Sequence, residues 1–128
     1  MSDSDTKTGG LRVIAGGGKG GAVGEPQREI LKEIDELVQA NRVVLFMKGT
    51  PARPMCGFSA RAAAILSVYG VPFRAVDVLQ DNEIREGIKE YADWPTIPQL
   101  FVGGQFIGGS DIMTSLHESG ELKGMLVE

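Results

Sequence analysis

Residues 43–70 read VVLFMKGTPARPMCGFSARAAAILSVYG, and three kinds of segment meet in them. Val43 to Met47 is a short unbroken apolar run, the pattern of a strand covered on both faces. Gly49-Thr50-Pro51-Ala52-Arg53-Pro54 is rich in chain breakers and reads as a loop. From Ala60 to Tyr69 the alanine-rich segment has high helix propensity, and it stops at Gly70, a residue suited to the left-handed turn that ends helices. Strand, loop and helix in that order begin a strand-helix-strand unit. The chain's single cysteine, Cys56, stands where the loop enters the helix.

The same alternation continues outward. Upstream, Ile30, Leu31, Ile34, Leu37 and Val38 recur at helical spacing, and Pro26 suits a first-turn position, so a helix is predicted to about Ala40. Downstream, Phe73 to Val78 reads as a strand, and Asp81 or Asn82 is placed to cap a helix reaching about Tyr91. Gln99–Val102 and Gln105–Gly108 flank Gly103-Gly104 as a hairpin, and Ser110 or Asp111 is placed to cap a last helix. The order helix, strand, helix, strand, helix, strand, strand, helix predicts an α/β fold in which a mixed sheet is flanked by helices.

Residues 1–24 differ from this. Eight of the eighteen glycines fall there, while all eight aromatic residues come after Leu45. Without apolar anchors such a segment cannot offset the entropy of ordering itself, so a disordered Gly-rich tail over 1–24 and one domain over 25–128 are expected. Gly16, Gly18 and Gly21 match a dinucleotide fingerprint only because they lie in a glycine run with no strand before it, and Gly20 after Lys19 breaks the phosphate-loop pattern. No apolar stretch is long enough to span a membrane, and the N-terminus lacks the features of a secretory signal. Thirteen Lys and Arg against seventeen Asp and Glu leave a net charge of -4, which disfavours binding to a phosphate backbone. A lone cysteine rules out an intrachain disulfide and suits a reducing compartment.

A free cysteine is often only a small buried hydrophobe. At a helix N-terminus, however, unpaired N–H groups and the positive end of the dipole stabilise a thiolate, and Lys48 adds a full charge. Gly57 leaves room for a ligand to approach the sulfur. Arg85 and Lys89 share a helix face and offer two cations to carboxylates, although such pairs are commonly just solvated surface. In Trp94-Pro95-Thr96-Ile97-Pro98 a cis proline would leave the Ile97 backbone free to pair with an extended peptide. Gly108-Gly109-Ser110-Asp111 gives close backbone approach at another helix start, with Asp111 suited to an ammonium group. A small peptide with two carboxylates, an amine and a thiol answers that set of groups, and glutathione is such a peptide. Zinc binding is disfavoured, because His117 lies far along the chain from Cys56 and no ligand quartet exists.

Lys48-Gly49-Thr50, Cys56-Gly57-Phe58-Ser59, Trp94-Pro95-Thr96-Ile97-Pro98-Gln99 and Gly108-Gly109-Ser110-Asp111-Ile112 together resemble the monothiol glutaredoxins of CGFS type, over about residues 27–127. The resemblance implies a thioredoxin-like fold with a four-stranded mixed sheet and a cis bond before Pro98. It also implies glutathione held by Lys48, Arg85, Lys89, Ile97, Ser110 and Asp111, with Phe58 and Pro98 of the same motifs counted among the contacts. Cys56 is then both the reactive thiol and the metal ligand, in a 2Fe-2S cluster shared by two protomers that each bring one glutathione. Ser110 stands where many relatives carry a second cysteine, which removes an intramolecular disulfide route.

The leading expectation is a cluster scaffold and carrier serving apo iron-sulfur proteins, with BolA-like proteins as further partners and weak oxidoreductase activity at most. Nucleic acid and membrane partners are not expected. The alternatives are a glutathione-dependent thiol-disulfide oxidoreductase acting by deglutathionylation, and a redox-inert adaptor. The mitochondrial matrix is the expected compartment, with bacterial cytoplasm or plastid stroma as alternatives.

Overall fold

The computed structural model describes residues 24–127. Apart from Gly24, the tail expected over 1–24 lies outside the described residues. The elements run α1 (Gly24–Ala40), β1 (Val43–Met47), β2 (Gly49–Thr50), β3 (Arg53–Pro54), α2 (Gly57–Val68), β4 (Arg74–Asp77), α3 (Asn82–Ala92), β5 (Gln99–Val102), β6 (Gln105–Gly108), α4 (Ser110–Ser119) and α5 (Glu121–Leu126).

Four strands form one mixed sheet in the order β4-β1-β5-β6, with β1 parallel to β4 and antiparallel to β5. All five residues of β1 are buried, as expected for a central strand. Because side chains alternate across a strand, β1 divides its apolar run between two cores. Val43, Leu45 and Met47 face α2, α4 and α5, packing with Leu66, Leu100, Met113 and Leu122. Val44 and Phe46 face α1 and α3, packing with Ile34, Val38, Ile88 and Phe101. The fold is thus three layers, with the sheet between two helical layers, as in thioredoxin-like proteins. Across the second layer the Tyr91 hydroxyl donates to Asp35 Oδ1 at 2.6 Å, joining α3 to α1. Burial, reinforced by that carboxylate, pushes the phenol up to about 12.

Two local features depart from the sequence reading. The stretch 49–54 is a minimal hairpin, with Gly49 opposite Pro54 and Thr50 opposite Arg53. Strands of two residues carry no readable period. Helix α2 begins at Gly57 with Cys56 as its N-cap, where the sequence reading put the helix entry. Neither Ser110 nor Asp111 caps α4; Gly109 occupies the cap position with no side-chain bond, so both residues sit in the first turn, and Gly120, at φ +87°, separates α4 from α5. Arg42 Nη2 donates to Met125 O at 2.9 Å and ties this last helix to the start of β1. Elsewhere Asp81 caps α3 through the amides of Glu83 and Ile84, and the 99–108 hairpin has the expected bounds.

The turn after β1 sets where the cysteine lies. Gly49 has φ +89°, and its N–H donates to Asp77 Oδ1 at 2.9 Å, linking the turn to the end of β4. The Met55 N–H returns to Lys48 O at 2.9 Å. A Cβ on Gly49 would lie 2.5 Å from Arg53 O and 2.7 Å from Met55 N, both backbone atoms that cannot step aside. We therefore expect Gly49→Ala to lose about 2 kcal/mol or more, seen as a fall of roughly 10 °C in the thermal midpoint. An unchanged midpoint would show that the turn is not constrained in this way.

Candidate functional site

Cys56 is the N-cap of α2, with extended backbone angles of φ -160° and ψ 138°. Its carbonyl accepts the first helical bond from the Ala60 N–H at 2.9 Å. The free amides of the first turn therefore gather around the sulfur. Its pKa lies below the ordinary thiol value, chiefly through the backbone N–H of Ser59 at the helix start. Partial burial opposes the shift, while the Phe58 N–H, the Lys48 charge and the Ser59 hydroxyl add to it. The result is a thiolate favoured at lower pH than in a free cysteine, ready to act as nucleophile or metal ligand.

Ser59 has no exposed surface, and its Oγ accepts the Lys48 N–H at 3.0 Å. One hydroxyl thus ties the end of β1 to the first turn of α2, and it also contributes to the lowered thiol pKa. Reading the sequence placed Ser59 in the motif but assigned it no task. A buried hydroxyl just inside a helix start was the available signal.

A cleft of about 510 Å³ opens in front of the sulfur, and all nine residues singled out from the sequence line it. Lys48 comes from the end of β1, Cys56 and Phe58 from the start of α2, and Arg85 and Lys89 from one face of α3. Ile97 and Pro98, joined by a cis peptide bond, come from the segment before β5, and Ser110 and Asp111 from the first turn of α4. Three cations therefore face a helix start that carries one carboxylate. Lys89 keeps a 3.5 Å ion pair with Glu86, whereas the Arg85 Nε is buried without a partner. Among the described residues Ile97 makes no backbone–backbone hydrogen bond outside the helices and strands.

The structure adds Trp94, Pro95, Thr96 and Gly109 to the lining. A Cβ on Gly109 would lie 3.3 Å from Pro98 O and 3.5 Å from Trp94 Nε1, so a side chain there would press on the loop opposite. Phe58 and Met55 flank the thiol and are 62% and 63% exposed, leaving an apolar rim beside the sulfur. His117 is not in the cleft; it pairs with the Tyr69 hydroxyl, joining α4 to α2. Among the described residues no three His, Cys, Asp or Glu side chains gather to hold a metal ion. No helix among the described residues is long and apolar enough to cross a membrane.

The sequence model of the Glutaredoxin family matches residues 43–107. An uncharacterized monothiol glutaredoxin, ycf64-like, of Synechocystis sp. is 57% identical over 98 residues, covering 77% of this chain and 92% of that one. The mitochondrial monothiol glutaredoxin-5 of Schizosaccharomyces pombe is 54% identical over 98 residues, covering 74% of this chain and 67% of the relative. Among solved structures, a buckwheat glutaredoxin-glutathione complex superposes with a TM-score of 0.71 at 27% identity, covering 80% of this chain and 91% of that one.

The geometry around the sulfur makes Ser59 testable. Ser59→Ala removes a donor to the thiolate and the acceptor for the Lys48 N–H, so the cysteine pKa should rise and stability fall by about 1 kcal/mol. Alkylation of Cys56 followed against pH should show the midpoint moving upward. A superimposable profile would assign the lowered pKa to the backbone amides alone.

Proposed function

The chain belongs to the glutaredoxin family, in its monothiol branch, and from that premise we propose that it is a glutathione-dependent carrier of 2Fe-2S clusters, which it delivers to apo iron-sulfur proteins. The observation that carries this reading is the lone thiolate, open to a cleft lined by Lys48, Arg85 and Lys89. Those cations suit the two carboxylates of glutathione, the Ile97 backbone suits its peptide groups, and the α4 start with Asp111 suits its amino-acid end. A 2Fe-2S cluster usually takes four thiolate ligands. One protomer with its glutathione supplies two, so two protomers complete the set, and the exposed Met55 and Phe58 offer an apolar rim for the second copy to cover. The cluster is cargo on this reading, and what the chain does is hold the glutathione, fix the thiolate and leave one side of the site open for transfer. The same open face suits BolA-like proteins as alternative partners.

The lowered thiol pKa also favours a second reading, monothiol disulfide exchange. Cys56 would attack the glutathionyl sulfur of a mixed disulfide, release the protein thiolate, and be freed by a second glutathione, with glutathione disulfide as product. We take this to be a weak side activity. On compartment, the mitochondrial relative supports the matrix, and the cyanobacterial one supports bacterial cytoplasm or plastid stroma as the alternative.

Anaerobic reconstitution with iron, sulfide and glutathione is expected to give a coloured protein, and Cys56→Ser a colourless one. Colour retained at full intensity by Cys56→Ser would overturn the carrier reading, and brisk turnover in a glutathione-coupled disulfide assay would favour the second. Removing the Arg85 guanidinium, whose Nε is buried without a partner, should weaken glutathione binding about tenfold or more, since a charged hydrogen bond contributes roughly 1.5 to 3 kcal/mol. Calorimetric titration of Arg85→Ala checks this.

A further inference from the structure

Gln99, the first residue of β5, is fully buried and does not itself line the cleft. Its Nε2 donates to Trp94 O at 3.1 Å and to Thr96 O at 3.0 Å. Both amide hydrogens are thus spent on one loop, and the side chain of the strand's first residue reaches back over the segment that walls the cleft. Its Oε1 is buried with no partner. An apolar side chain of equal volume would avoid that unfavourable burial; what the amide adds is the pair of donors.

We infer that Gln99 is a positioning residue that sets the shape of the Trp94–Ile97 loop and thereby the affinity of the cleft for glutathione, resting on the reading that glutathione is the ligand. Residues Trp94 to Pro98 all line the cleft, so a change in the curvature of the loop changes one whole wall. The start of α4 packs near this loop, since a Cβ added to Gly109 would meet Pro98 O at 3.3 Å and Trp94 Nε1 at 3.5 Å. Cys56 depends on other groups, the amides of α2, Ser59 and Lys48, and none of these bonds Gln99. Loss of Gln99 should therefore reach the ligand without reaching the thiol.

Gln99→Met in the full chain tests this separation. Calorimetry with reduced glutathione should show affinity lowered tenfold or more, while the pH profile of Cys56 alkylation superimposes on that of the wild type. Trp94 is the only tryptophan, so the emission of the ligand-free variant should also shift to the red as the loop loosens. Wild-type affinity in a variant with native circular dichroism would overturn the inference. If the wild-type chain itself binds no glutathione, the carrier reading fails, and Trp94 emission decides for Gln99: a shift upholds its hold on the loop and no shift overturns it. If Gln99→Met does not fold, hydrogen exchange of the Gln99 side-chain amide in the wild type decides, with slow exchange supporting the two bonds and solvent-like exchange removing them.

Discussion

One thiol, held at the first turn of α2, is the constraint on which the rest of the site depends. The Ser59 N–H, the Ser59 hydroxyl and the Phe58 N–H all bear on the sulfur, and each is in place only if the helix begins at Gly57. That start is in turn set by β1. The strand is buried along its whole length, so it leaves the sheet at a fixed point, and the Lys48 N–H bond to Ser59 carries that position across to the helix. Gly49 turns the chain in the only space available, with Asp77 holding its amide from β4. Core packing, turn geometry and thiol chemistry are therefore consecutive steps of one causal chain.

The cleft extends this arrangement outward. Its cations come from two elements, Lys48 beyond β1 and Arg85 with Lys89 on α3, while its anion and a free helix start come from α4. A ligand with carboxylates, an amine and extended peptide groups finds a complement to each in one 510 Å³ space. The chain as a whole carries a net charge of -4, so this concentration of positive charge is local. Met55 and Phe58 add an exposed apolar rim beside the sulfur, and Phe58 also lines the cleft.

Much of the fold was legible because its signals are local. The apolar run 43–47, the hairpin around Gly103-Gly104 and the Asp81 cap each follow from a few adjacent residues, and each holds. Two-residue strands have no period to detect, and the break at Gly120 falls between segments that both read as helix, so the 49–54 hairpin and the separate α5 were missed. The nine cleft residues were legible through the order of four short motifs and the family resemblance they carry; spacing alone would have left Arg85 and Lys89 as a solvated pair. Ser59 and Gln99 show the limit. Both are buried polar side chains whose work is defined by partners that the fold brings to them, in the case of Ser59 from eleven residues away. The tail over 1–24 was read from composition, and all of it but Gly24 lies outside the described residues.

The central claim is that the site is half of a shared one, complete only when two chains and two glutathiones meet. Light scattering combined with iron and sulfide analysis, on wild-type protein reconstituted with glutathione supplied or withheld, tests it most directly. The account predicts a dimer with one 2Fe-2S cluster per two chains when glutathione is present, and a colourless monomer when it is not. A cluster held at full occupancy by a monomer, or by a dimer formed without glutathione, would contradict it.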